Sequence, residues 1–383
     1  MSARRAMFAP MLTTPLHHRH LESGARMAPF AGYDMPIAYT SLREEHEAVR
    51  TRAGMFDVSH MGEFIVRGRE ALALVQHVTS NDASRLEIGQ AQYSTFPTPD
   101  GGIVDDLLVY RLPEDKCAAG ERAYMLVVNA ANIARDWAWI EEHNRFDTAV
   151  VDISAATALL AVQGPRAAEA LQWLTTARLA EMPTYTFAKT TFAGVDDVLV
   201  SATGYTGAGG FEVYVPAAHA EAVWDAILTA SHVPTERRGD HRVVPAGLGA
   251  RDSLRLEAGY ALYGNDLDLT TSTLEAGLGW VTKLAKGDFV GAAFLRKQKA
   301  EGPRRRLVGI RVDDRRVARH GYPIVDEAGR AVGHVTSGSQ SPTLGYPIAL
   351  GYVPYAMRTP GTPVRIDAGR KVLAGRVVPT PFV

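Results

Sequence analysis

Two adjacent carboxylates, Asp105 and Asp106, interrupt the apolar run "GGIVDDLLVY" at residues 101–110. Side chains of a strand alternate faces with period two, so the pair must point to opposite sides; where both sides are covered, at least one carboxylate is buried. A buried charge needs a partner or a chemical task. Glu212 sits just inside the strand that follows the turn in "GYTGAGGFE", and Arg251 lies in "GLGARDSLRLEAG". Tyr93, Tyr205 and Tyr260 are close by in sequence. A carboxylate can take two parallel donors from a flat heterocycle, and an arginine can grip a carbonyl or carboxylate in a fork. These residue types suit a pocket for an aromatic heterocycle; the alternative is a structural ion-pair network.

Other chemistries find less support. The glycine-rich "GYTGAGGFE" is followed by a strand, so it offers no helix N-terminus to a phosphate, and neither a dinucleotide fingerprint nor a phosphate-loop lysine occurs. It reads as a hairpin turn. His17, His18, His20 and His46 lack ligand spacing, so no metal is expected. No glycine-flanked serine or Cys/His pairing marks a covalent nucleophile. Cys117 is the only cysteine, which rules out an internal disulfide and suits a reducing compartment. Acidic and basic residues number 42 and 41, so no global field points to nucleic acid or a membrane. The arginines at 304–306 and at 315, 316 and 319 read as solvated strand ends. The basic N-terminus carries no export signal and no stretch reaches membrane-span length, which makes a cytoplasmic location the expectation.

The elements that must position these groups follow from periodicity and turn chemistry. Ser41 with Glu44 reads as the start of a helix that presents Leu42, His46, Val49 and Ala53 and stops at Gly54. Then come a strand at 63–67, a helix at 70–78, a turn at "PTPDGG", strands at 103–110 and 123–128, and a helix at 132–143. "ATALLAVQG" reads as a strand, followed by a helix with Pro165 in its first turn, and "DVLVSATGYTGAGGFEVYVP" as two strands around glycines. Helices follow at 218–230, with Val223, Ile227 and Ala230 on one face, and at 248–258; the polar stretch 231–245 between them reads as an exposed loop. Strands and helices are mixed rather than alternating, which favours α+β. Beyond about residue 283, a short helix and a charged connection lead into short strands rich in Gly and Pro, the pattern of a small antiparallel barrel or sandwich. At 383 residues, two or three domains are expected.

The stretches "TPLHHRHLESGARMAPFAGYDMPIAY", "AGMFDVSHMG", "GGIVDDLLVY", "LAVQGP", "TGYTGAGGFE", "GLGARDSLRLEAGYALYGND", "LGW" and "TSGSQSPTLGYPIALGYVP" run from about residue 14 to the end. In order and spacing the chain resembles the aminomethyltransferases, the T proteins of the glycine cleavage system. The resemblance implies a three-domain cloverleaf around a central folate-binding channel, its third domain a small antiparallel β-barrel. The implied limits are a folate-binding region at 12–283 and the barrel at 284–383. Within the former, 12–55 would join 150–250, and 56–149 would join 251–283. It also implies the reaction, transfer of an aminomethyl carbon from the lipoyl arm of H protein to tetrahydrofolate as co-substrate. The products would be 5,10-methylenetetrahydrofolate, ammonia and dihydrolipoyl H protein.

By the same resemblance Asp106 is the catalytic carboxylate, facing the folate nitrogens, holding the nucleophilic amine, stabilising the cationic iminium and accepting a proton. Glu212 would receive the pterin N–H donors, Arg251 would bind folate, and Met61, Tyr93, Asn129, Tyr205 and Tyr260 would line the pocket. Asp105 is left needing a structural partner. The C-terminal arginines are a candidate docking surface for an acidic H protein. The chain departs from the family pattern with Ala208 where many relatives have an acid, with an extra stretch between Glu212 and Arg251, and with "PTPFV" in place of a tyrosine-bearing tail. Competing readings are another folate-dependent demethylase, the folate module of an amine-oxidising flavoenzyme, or a non-catalytic folate-binding factor of the same superfamily. The lack of a flavin-type glycine fingerprint and the full set of family motifs speak against the first two, and Cys117 outside any Lys-Gly-Cys motif speaks against the third.

Overall fold

The computed structural model describes residues 11–231 and 242–383. One six-stranded sheet has the order Phe187–Phe192, Val195–Ser201, Gly210–Pro216, Thr157–Gln163, Ala53–Asp57, Val243–Pro245. A five-stranded antiparallel sheet has the order Ala91–Pro97, Ile103–Arg111, Arg122–Val128, Gly62–Gly68, Ala149–Asp152. The third unit is a closed antiparallel barrel of Arg305–Val312, Pro347–Pro354, Ala331–Gln340, Pro323–Val325, Pro363–Asp367 and Val372–Val378. The fold is α+β, and closure decides for a barrel over a sandwich. The chain leaves the six-stranded sheet after Asp57, builds the whole five-stranded sheet, and re-enters the first at Thr157.

The apolar run of Thr157–Gln163 reflects burial on both faces. Ala158, Leu160 and Val162 pack with Val223, Trp224 and Ile227 of the helix Ala220–Ser231. Leu159 and Ala161 face the other way, onto Tyr110, Met125 and Val127 of the five-stranded sheet. The two sheets therefore meet through this second cluster. The outer face of the five-stranded sheet is closed by the helices Ala71–Val78 and Ile133–His143. Each fully buried Leu, Val or Phe contributes about 1.5–3 kcal/mol, so these layers hold the sheets at a fixed separation.

Ser41 caps the helix Leu42–Thr51 as its spacing predicts, accepting from the Glu44 amide at 3.2 Å. Of the face expected from spacing, His46 and Val49 are inside together with Glu45 and Ala48, but Leu42 is exposed. The helix ends at Thr51, so Ala53 and Gly54 open the strand Ala53–Asp57 instead of closing the helix. The polar members are buried because each has partners, Glu45 accepting from the amides of Tyr39, Thr40 and Gly247. Pro165 precedes its helix rather than entering it; the turn continues to Arg166, the α-helix runs Ala167–Leu171, and a 3-10 turn, Gln172–Leu174, continues it. The stretch expected as a loop at 231–245 ends in the strand Val243–Pro245, whose two valines pair in parallel with Ala53–Asp57. Residues 232–241 of that stretch lie outside the described residues.

The helix Leu248–Glu257 ties the barrel to the sheets. Arg255 binds Asp266 at 2.8 Å and Ser337 at 2.8 Å, while Tyr352 donates to the Asp266 carbonyl at 2.9 Å. Glu257, fully buried, accepts from Arg50 at 2.8 Å, the Thr343 amide at 3.1 Å and the Thr343 hydroxyl at 2.8 Å, from Ser341, and pairs with His46 at 3.1 Å. Burial alone would push this carboxyl up, but hydrogen bonds from His46, Ser341 and Thr343 outweigh it and hold it at about 2. A carboxyl depressed on folding stabilises the protein above its unfolded value and loses that contribution as pH falls through the folded value. Glu257→Gln is expected to lower stability at pH 7 by about 3 kcal/mol. Urea midpoints measured from pH 7 down to 2 should show the gap between variant and parent closing over the acid range. A gap independent of pH would contradict the ionic account.

Candidate active site

Between the sheets, and reaching the barrel, lies a cavity of about 480 Å³. All eight residues singled out from the sequence line it: Met61, Tyr93, Asp106, Asn129, Tyr205, Glu212, Arg251 and Tyr260. The five-stranded sheet supplies a row in register, Tyr93 opposite Leu108 and Leu108 opposite Val127, all on the cavity side. The facing sheet supplies Leu159, Glu212 and Tyr214. Gly204 lies against the Gln163 side chain so closely that a Cβ would stand 1.8 Å from Oε1, which fixes how the glycine-rich loop delivers Tyr205. Two stacked aromatic pairs wall the cavity. Tyr93 and Trp280 have ring centroids 5.9 Å apart at 26°, and Tyr205 and Tyr260 have theirs 5.8 Å apart at 28°. Such walls suit a flat ring.

The opening pair divides as alternation requires. Asp106 faces the cavity, half-buried, and accepts from the Tyr93 hydroxyl at 2.9 Å and the Asn129 side-chain amide at 2.9 Å. Burial and the neighbouring Asp105 charge raise it to about 7, against the pull of those two donors. Asp105 is wholly buried on the opposite side and accepts from the Asn129 amide at 2.9 Å, the Asn129 side chain at 2.8 Å and the Asn132 side chain at 2.7 Å. The structural partner missing from the sequence is thus Asn129, which touches both aspartates.

Glu212 is 6% exposed and accepts from Thr203 at 2.5 Å, its only hydrogen-bond donor among the described residues. Burial pushes its carboxyl up, while the Thr203 hydrogen bond and the Arg251 charge oppose this. The Arg251 guanidinium lies 4.8 Å from the Tyr205 ring centroid. Its Nη1 is buried with no hydrogen-bond partner among the described residues. A buried donor left unsatisfied costs about 1–3 kcal/mol, more when charged, so the position fits a ligand carbonyl or carboxylate. Glu212 as acceptor and Arg251 as donor make the cavity lining complementary to a heterocycle with both kinds of group on its edge.

Several lining residues were not found from sequence. His60 is buried, its Nδ1 unpartnered among the described residues, with its ring edge-on to Phe30 at 5.5 Å. Burial, with the Arg251 charge adding to it and Asp57 opposing, lowers it to about 4, so it is a neutral wall at pH 7. Phe30 comes from the hairpin of Arg26–Phe30 and Tyr33–Ala38, Trp280 from "LGW", and Thr380 and Pro381 from beyond the last strand. Their only sequence signal was membership of a quoted stretch: His60 and Trp280 lie in short motifs, Phe30 in a long one, and Thr380 and Pro381 in the divergent tail "PTPFV". The arginines at 304–306 need correction as solvated ends. Arg304 is exposed, but Arg305 pairs with Glu275 at 3.2 Å, and Arg306 donates to the Leu274 carbonyl at 2.9 Å and lines the cavity. Barrel and core close on each other here, so those guanidiniums have partners. Arg315, Arg316 and Arg319 are exposed. Among the described residues no group of three His, Cys, Asp or Glu side chains could hold a metal ion.

Comparison with known proteins covers both parts of the chain. Residues 16–286 match the family model described as the GCVT N-terminal domain, and residues 305–383 match the glycine cleavage T-protein C-terminal barrel domain. The aminomethyltransferase of Flavobacterium psychrophilum is 50% identical over 372 residues, covering 97% of this chain and 99% of its own. That of Halothermothrix orenii is 46% identical over 373 residues, covering 97% and 100%. The crystal structure of glycine cleavage system aminomethyltransferase T from Bartonella henselae superposes with a TM-score of 0.88 at 35% identity, covering 98% of each chain.

The two donors on Asp106 make a prediction about its acidity. A hydrogen bond to the charged form that is worth about 1–1.5 kcal/mol corresponds to about one pH unit. Tyr93→Phe should therefore raise the Asp106 midpoint from about 7 toward 8, read by carbon-13 NMR of aspartate-labelled protein. A midpoint that stays put or falls would show that the phenol does not favour the carboxylate.

Proposed function

We propose, for a chain that belongs to the glycine cleavage T-protein family of aminomethyltransferases, that the inter-sheet cavity is where tetrahydrofolate receives the aminomethyl carbon. The chain is an aminomethyltransferase, and tetrahydrofolate is the family's co-substrate. The donor in this reading is the lipoyl arm of H protein, and no metal is needed. In the overall reaction the C–S and C–NH₂ bonds of the aminomethyl group break and two C–N bonds to the folate amines form. The two amine hydrogens displaced end in the lipoyl thiol and in ammonia. A cytoplasmic setting accords with a single cysteine. No helix among the described residues is long and apolar enough to cross a membrane.

The observation that carries the mechanism is Asp106 held by Tyr93 and Asn129 at the cavity wall, beside two stacked aromatic pairs. Tyr93 and Asn129 fix the carboxylate so that one face remains for a folate N–H. Asp106 orients that amine, takes its proton and places negative charge beside the cation that develops as sulfur departs. A proton acceptor titrating near 7 is ionised half the time at neutral pH and still basic enough to accept. Glu212 receives the N–H donors of the pterin edge, Arg251 answers an acceptor group, and the tyrosine and tryptophan rings clamp the plane. Met61 closes the apolar wall.

The deciding assay gives purified protein aminomethylated H protein with and without tetrahydrofolate. Methylenetetrahydrofolate should form only with folate, and turnover indifferent to folate would reject the reading. Asp106→Asn and Asp106→Ala should slow transfer by about 10²–10⁴-fold while folate still binds. Because the ionised carboxylate is the active form, the parent's saturated rate should rise with pH through about 7 and then level, and this limb should vanish in both variants. Normal turnover in either variant would remove Asp106 from the mechanism.

A further inference from the structure

Proton transfer in the proposed mechanism uses one aspartate, yet three converge at this wall. Asp136, on the helix Ile133–His143, is wholly buried behind Asp105, and the two side chains are hydrogen-bonded to each other. Among the described residues neither Asp136 oxygen meets an N–H or O–H donor apart from that carboxyl contact. Two carboxyl groups can bond to each other only if one of them carries a proton. Asp105 has three amide donors and Asp136 has none, so the negative charge belongs on Asp105 and the proton on Asp136.

The pair is linked to the cavity by one side chain. The Asn129 amide nitrogen stands 2.8 Å from Asp105 Oδ1, 2.9 Å from Asp106 Oδ1 and 3.1 Å from the Asp106 carbonyl. The other ionisable groups facing this cluster are the phenols of Tyr93, Tyr205 and Tyr263 and the guanidinium of Arg135. Arg135 is turned outward and donates to the Tyr263 hydroxyl at 3.1 Å. No cation among the described residues is in ion-pair contact with any of the three aspartates.

We propose that Asp105 and Asp136 form a buried carboxyl pair holding a single proton, and that its one negative charge, shared with Asp106 through Asn129, sets the proton affinity of the acceptor used in transfer. This rests on the reading of Asp106 as that acceptor. Asp105 and Asp136 are then positioning residues. Burial and the Asp105 and Asp106 charges keep Asp136 protonated to about 11, and the Asp105 charge is one of the two influences that lift Asp106. With Asp105 neutral, Asp106 loses a like charge and gains a larger share of the Asn129 donor, so both effects make it more acidic. With Asp136 as asparagine, an N–H donor still meets Asp105 and the charge of the pair is unchanged.

Infrared spectra of protein labelled with carbon-13 only at aspartate, taken at pH 9 where Asp106 is ionised, test the pair without any assay. An isotope-shifted band of a protonated carboxyl should be present in the parent and in Asp106→Asn, and absent in Asp136→Asn. Its absence from the parent, or its survival in Asp136→Asn, would overturn the proposal. The saturated rate of transfer between pH 5.5 and 9 tests its consequence. Asp136→Asn should keep the acid limb within about 0.3 pH units of the parent. Asp105→Asn should move it down by about one unit, so that at pH 6 the rate rises from about one tenth to about one half of its own plateau. A limb unmoved in Asp105→Asn protein that melts as a folded chain would sever the pair from the acceptor. Where Asp105→Asn does not fold, the infrared result decides. A parent with no folate-dependent transfer would instead remove the reading on which this one rests, and the infrared band would still report the pair.

Discussion

The site depends on a strand that is covered on both faces. Ile103–Arg111 lies between the inter-sheet layer and the layer of helices, so adjacent residues enter different environments. Leu108 and Tyr110 pack inward toward the second sheet, and Leu107 and Val109 pack outward beneath the helices. The same alternation sends Asp106 to the cavity and Asp105 into the helix layer. Two carboxylates whose backbone positions are one residue apart therefore cannot relax away from each other. The electrostatic tension between them is fixed by covalent geometry, and the fold must satisfy Asp105 for Asp106 to be usable. Asn129, at the end of the neighbouring strand Arg122–Val128, does so with its backbone and side-chain amides together.

A second constraint comes from the helix Leu248–Glu257, which carries three charged groups to three destinations. Arg251 enters the cavity, Arg255 meets the barrel through Asp266 and Ser337, and Glu257 gathers His46, Arg50, Ser341 and Thr343. Its helical spacing turns one short segment into the joint between both sheets and the barrel. Arg251 and the ion-paired Arg255 and Glu257 a turn further along share one rigid rod, so the motif that contains them reads as one unit.

Much of this could be read from the sequence, and the boundary has physical causes. Strong periodicity and end signals located the helix capped by Ser41, the strands flanking the glycine-rich loop and the barrel. Alternation alone said that Asp105 and Asp106 part company. The edge strands Ala149–Asp152 and Phe187–Phe192 and the hairpin Arg26–Ala38 were missed; each is short and several of their residues are exposed, so little apolar pattern marks them. The mostly buried strands Ala53–Asp57 and Ala91–Pro97 were also missed, the first being read as the end of the preceding helix. The resemblance pointed to eight residues that the structure gathers around one cavity, yet no spacing in the chain says that positions 61 and 260 line the same cavity. Asp136 was read only as part of a helix. Its polar side chain on a buried helical face was a signal, but the partner is a long-range contact that periodicity does not encode.

The arrangement also bears on the competing functions. A module that only bound folate would be served by Glu212, Arg251 and the aromatic walls, because recognition needs complementary donors, acceptors and surface. It would have no use for a half-buried carboxylate raised toward neutrality, which weakens its hold on any cationic or N–H partner and adds a buried charge beside two other acids. Such a group is costly unless a proton must be taken at that place. A flavoenzyme module would pass electrons to a second cofactor, and the glycine fingerprint that holds one is missing. Proton transfer at a wall built for a flat ring is what a tetrahydrofolate-dependent transferase requires. Under the proposed reading, the costly placement of Asp106 argues for a proton acceptor at that wall, a task that binding alone does not require.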